Sequence, residues 1–157
     1  MLKISKQASI TLSLIIAILF FLGCIAALFI LPNLTELLIN LPDNIGDRAS
    51  ITPAGRTLVL IAAYCILADF IFADILLFTL LLRVKRGLVF TMVTVSLVRG
   101  VSWCCIGLFV LFCLLGYYFQ LSLPVALMAL FLGLCLRVCK NAFEEATQLK
   151  QENDLTV

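Results

Sequence analysis

The chain has 157 residues, 64% of them apolar and 13% charged, with a formal net charge of +2 and a mean hydropathy of +1.20. Soluble domains are only about half apolar, so the soluble class is excluded, and four helices of ~20 residues each would occupy about half the chain as one membrane domain. The basic residues are accounted for by their places around the apolar segments, which leaves charge no argument for direct nucleic-acid binding, and the absence of histidine removes the common metal sites that need imidazole.

Lys3 and Lys6 precede an apolar run over residues 10–31. It is too long for a signal-peptide core and has no clear small-x-small cleavage pattern at its end, so it reads as a retained first span that stops at Pro32. An outer loop, 32–56, follows. Within it Asn33 caps a helical pattern with Glu36 three residues on, and Leu34, Leu37, Leu38 and Leu41 recur at helical spacing. This predicts a short amphipathic helix on the outer membrane surface. Pro42, Asp43, Asn44 and Gly46 make a turn-rich stretch, and Thr52-Pro53 is a helix start. The second span, 57–82, ends at Arg83-Val84-Lys85-Arg86-Gly87, whose three positive charges are the strongest cytosolic marker in the chain.

Residues 88–119 as one helix would be about 48 Å long against a hydrocarbon thickness near ~30 Å. Arg99-Gly100 divides them into a cytosolic surface helix, within a connection covering 83–100, and a third span over 101–119. Trp103 then lies at the inner interface and Tyr117 and Tyr118 at the outer one. A short outer turn leads to the fourth span, 121–138, closed by Arg137 and Lys140. The cytosolic tail, 139–157, continues a helix in which Leu136, Cys139, Phe143, Ala146 and Leu149 form one stripe. Lys3, Lys6, Arg83, Lys85, Arg86, Arg99, Arg137, Lys140 and Lys150 fall on one side of the membrane and only Arg48 and Arg56 on the other, which puts both termini in the cytosol of a cell membrane. The expected fold is all-α: a single membrane domain over 1–157, a four-helix bundle with a cytosolic helical C-terminal tail.

The candidates for chemistry are few. Asp69 and Asp74 lie inside the second span, where an ionised carboxylate is costly and marks a site by default. Five residues apart, they project about 140° from each other around a helix. Arg99 is the candidate partner of Asp74, reaching inward from the third span; Asp69 is the candidate proton or cation site, and packing roles for both acids are the alternative. All seven cysteines lie in or at the edges of apolar runs and read as packing residues. No nucleophile set, phosphate loop or Cys-x-x-Cys is present, so neither an enzyme nor a bound cofactor or metal is expected. Gly23, Ala26 and Ala27 permit close helix packing, between copies of the chain in a homo-oligomer or within one bundle. In the tail, Phe143, Glu144, Glu145, Leu149, Glu152, Asn153, Asp154 and Leu155 combine an apolar stripe with an acidic flank, the kind of face that docks a partner.

Four segments carry a family resemblance: Arg86-Gly87-Leu88-Val89-Phe90-Thr91, then Leu97 to Trp103-Cys104-Cys105, then Leu136-Arg137-Val138-Cys139-Lys140-Asn141-Ala142-Phe143-Glu144-Glu145-Ala146, then Leu149-Lys150-Gln151-Glu152-Asn153-Asp154-Leu155-Thr156-Val157. The chain resembles the YoaS-like multi-pass membrane proteins of Gram-positive bacteria, a family of unknown function. Met92, Val93 and Val95 stand where that family tends to have acidic or amide residues. Members are often encoded beside a helix-turn-helix regulator, so the resemblance implies a membrane protein that binds a cytosolic transcription regulator through its tail and its basic connection. The alternative expectation is a small ion- or proton-coupled transporter using the acids of the second span.

Overall fold

A computed structural model describes residues 6–40 and 52–155. Four long helices account for nearly all of them: α1 (Lys6–Asn40), α2 (Pro53–Lys85), α3 (Met92–Gly116) and α4 (Ser122–Leu155). Each is long and apolar enough to cross a membrane. Large apolar side chains such as Phe29, Leu114, Met128 and Phe131 are more than half exposed, which suits a chain whose solvent is a bilayer.

Helix ends follow local chemistry. Thr52 caps α2 by accepting a 3.3 Å bond from the Gly55 amide, with Pro53 in the first turn where its missing N–H costs nothing. The other end of α2 closes in a Schellman motif: the Leu88 amide reaches the Arg83 carbonyl, the Gly87 amide reaches the Val84 carbonyl, and Gly87 takes φ +77°. Thr91 caps α3, and the buried Thr94 hydroxyl returns to the Leu88 carbonyl at 3.0 Å, fixing the entry of the chain into that helix.

Three boundaries differ from the sequence expectation. Pro32 does not end the first span; α1 runs through it to Asn40. Its missing N–H costs one ladder bond, the one to the Leu28 carbonyl, a break that membrane helices accommodate; the Thr35 hydroxyl separately donates a 2.8 Å bond to the Pro32 carbonyl. The leucines at 34, 37 and 38 therefore lie on α1 itself rather than on a separate surface helix, and all three are exposed. The turn-rich stretch at 42–46 lies outside the described residues. Arg99-Gly100 does not divide α3 either. The connection takes residues 86–91, and the remaining 25 residues of α3 are about 38 Å of helix. Gly100 instead serves a close approach: a Cβ there would meet Leu76 Cδ1 at 2.9 Å. The predicted tail, finally, is no separate element, because α4 is continuous from Ser122 to Leu155.

The expected bundle also opens out. Among the described residues close contacts join α1 to α2, α2 to α3 and α3 to α4, and no other pair. Short connections, 86–91 and 117–121, make α2 and α3, and α3 and α4, antiparallel neighbours. Nothing then closes the row, since lipid is as apolar as the faces of α1 and α4 that a closed bundle would cover. The α3–α4 seam is the most extensive. There the buried Ser102 hydroxyl donates to the Gly133 carbonyl at 2.9 Å.

Candidate functional site

The row separates the two intramembrane acids. Asp69 looks toward α3, where a Cβ on Gly107 would lie 3.6 Å from its Oδ1 and where the Cys104 thiol meets its carboxylate. Its Oδ2 is buried and has no hydrogen-bond partner. Asp74 is 6% exposed and looks the other way, toward α1. The 140° divergence expected from helical geometry thus places the two carboxylates in different seams.

Asp74 lies in the wall shared by two cavities between α1 and α2. One, of about 220 Å³, is bounded by Ala17, Phe21 and Phe78 among others. The other, of about 490 Å³, includes Ser13, Ala17, Phe20 and Phe70 and extends to Val101 of α3. Phe20 and Phe70 meet edge-to-face with ring centroids 6.0 Å apart, a favoured aromatic geometry. The α1 wall was not singled out from the sequence. Its one local signal is Ala17, a small residue in the run Ile15-Ile16-Ala17-Ile18-Leu19.

The expected Asp74–Arg99 pair is not formed. No ion pair joins Asp74 to Arg99; the exposed Arg99 is within electrostatic range of Glu144 on α4, where Lys140 makes an ion pair with the Glu144 carboxylate. Arg137 lies over the Trp103 ring at 5.2 Å, a second α3–α4 contact made by a basic side chain. Among the described residues no three His, Cys, Asp or Glu side chains gather where they could hold a metal ion, and the cysteines are all free.

The candidate docking residues divide into two sets. Phe143 is half-buried, its ring 6.5 Å from Phe90 in the α2–α3 connection, and Glu144 is engaged by Lys140. Thr147, 1% exposed, is packed beneath them and donates to the Phe143 carbonyl. These residues brace the end of α4. Glu145, Leu149, Glu152 and Asn153 are exposed, Leu149 by 61%. The side chains of Asp154 and Leu155 lie outside the described residues. Phe90, the brace's partner, was legible only as part of the family-like segment 86–91. Gly23, a candidate for close packing, has open space around it.

The model of a family described as protein of unknown function (DUF2975) matches residues 44–157, which takes in α2, α3 and α4. No curated protein and no solved structure matches the chain.

Proposed function

The chain belongs to the DUF2975 family of proteins of unknown function, and on that premise we propose that it is a regulatory, non-enzymatic membrane protein that docks a soluble cytosolic partner on the polar end of α4 and the adjoining basic segment 83–99, which spans the end of α2, the connection and the start of α3. The observation that supports this is the continuity of α4. Its 34 residues make about 51 Å of helix, ~20 Å more than the hydrocarbon needs. The projecting end is held by the Phe90–Phe143 contact and by buried Thr147, so its outward face, with Glu145, Leu149 and Glu152, is presented on a rigid element. The basic cluster Arg83, Lys85 and Arg86 supports a cytosolic placement of this end and of both termini. The resemblance to YoaS-like proteins supplies the class of partner, a helix-turn-helix transcription regulator.

The test is recovery of that regulator from native membranes with the full-length chain and with the surface variant Glu145→Lys/Leu149→Glu, which leaves the brace intact. A DNA-binding protein recovered with the first and lost with the second supports the reading. Equal recovery removes this docking face, and no specific partner with the unaltered chain removes the reading itself.

A second reading, an ion- or proton-coupled carrier, is favoured by the unpartnered Oδ2 of Asp69 in the α2–α3 seam. Asp69→Asn should then abolish flux in proteoliposomes while the fold is kept. Equal flux in both proteins ends it.

A further inference from the structure

Asp74 is a buried carboxyl group in the α1–α2 seam. It is 6% exposed, and no hydrogen bond or ion pair joins it to a described residue. The two hydroxyls that share its cavities are already committed along their own helices, Ser13 to the Ser9 carbonyl and Thr79 to the Ile75 carbonyl. A carboxylate so placed stays ionised only where a cation meets it. Space for one exists on both of its sides.

We infer that the α1–α2 cleft is a binding site for a small lipophilic monocation, an amine or onium group with an apolar body, with Asp74 as its counter-ion. Three features select this class. First, Asp74 supplies one negative charge and two oxygens, and the Ser13 and Thr79 hydroxyls add at most two more, whereas a divalent metal such as calcium or magnesium takes six or more oxygen ligands. Second, the walls are apolar and aromatic, with Phe21 and Phe78 beside one cavity and Phe20 and Phe70 beside the other; ring faces attract onium cations. Third, Asp74 lies nine residues, about 14 Å of helix, inward of Arg83, the first charge at that end of α2, within an apolar run that a ligand partitioning into hydrocarbon enters more readily than a hydrated cation. The larger cavity, about 490 Å³, is of the size that holds small organic molecules. Because α1 packs closely on α2 alone, the outer lip of the cleft faces the membrane, which is the route of entry.

The experiment uses the full-length chain in lipid nanodiscs with tetraphenylphosphonium, and tetraphenylborate as the ion of matched shape and opposite charge, each corrected for uptake by empty discs. Saturable binding of the cation alone is expected. It should weaken about tenfold or more in Asp74→Asn and persist in Asp69→Asn, whose carboxylate lies in the other seam. Equal binding of the two ions, or equal cation binding by Asp74→Asn and the unaltered chain, overturns the proposal. Should Asp74→Asn fail to fold, dicyclohexylcarbodiimide labelling of the unaltered chain decides. Tetraphenylphosphonium is expected to protect Asp74 and not Asp69, as mapped by mass spectrometry; protection of neither, or of both alike, overturns the assignment.

Discussion

Ser102 on α3 donates a 2.9 Å hydrogen bond to the backbone carbonyl of Gly133 on α4, and Gly133 is what lets the two helices come that close. A Cβ at Gly133 would stand 3.1 Å from Cys105 Cβ and 3.4 Å from the Ser102 carbonyl oxygen. The first neighbour is at the root of its side chain and the second is backbone, so neither yields by rotating. Interhelical hydrogen bonds in bilayers average about 0.6 kcal/mol, while forcing an extra methyl into a packed seam costs about 1–3 kcal/mol. Gly133→Ala is therefore expected to lower stability more than Ser102→Ala, measured by reversible unfolding in bicelles. The reverse order would mean that the hydroxyl, not the close approach, holds this seam.

Gly87 ends α2 with φ +77°, and no atom would obstruct a side chain there. The cost of Gly87→Ala is then conformational alone, about 1 kcal/mol. Gly87→Asn should cost less, since Asn tolerates the left-handed region. The same unfolding measurement distinguishes them. Identical stability of all three proteins would show that the Schellman closure at Leu88 contributes nothing.

Asp69 presents a buried oxygen that no donor satisfies. Asp69→Asn keeps the shape and removes the charge, so its stability should equal or exceed that of the unaltered chain, by up to ~2 kcal/mol. A loss of more than about 1 kcal/mol would show that the carboxyl makes an interaction worth keeping.

Trp103 is the only tryptophan, and Arg137 lies 5.2 Å from its ring centroid. Arg137→Gln removes a cation–π contact worth about 0.5–1 kcal/mol at an exposed site, and the emission of Trp103 should change with it. Lys140→Gln, one turn farther along α4 and engaged with Glu144, should leave that emission as it was. A shift of the same size in both variants would assign the effect to general charge.

Much of the architecture is written locally. The number of spans follows from apolar run lengths, because every backbone group in hydrocarbon must be satisfied within its own helix. Thr52-Pro53 and the Arg83–Gly87 stop are legible for the same kind of reason: a cap and a left-handed glycine act on their own turn. The divergence of Asp69 and Asp74 around α2 is helical arithmetic. Pro32 and Arg99-Gly100 misled because both are stop signals in water, whereas a membrane helix carries a proline through and uses a glycine, as Gly100 does against Leu76, to bring a neighbour close.

What only the tertiary structure decided is which face of each helix meets protein and which meets lipid. In a soluble helix, polarity marks the outer face. Along α1, Ala17 is buried and Ile16 and Ile18 are exposed, yet all three are apolar, so no periodic signal separates wall from surface. Hence the open row and the cleft around Asp74 were invisible in the chain, while the membrane class, the four helices and the two intramembrane acids were determined by the sequence itself, through the energy of placing each residue in hydrocarbon.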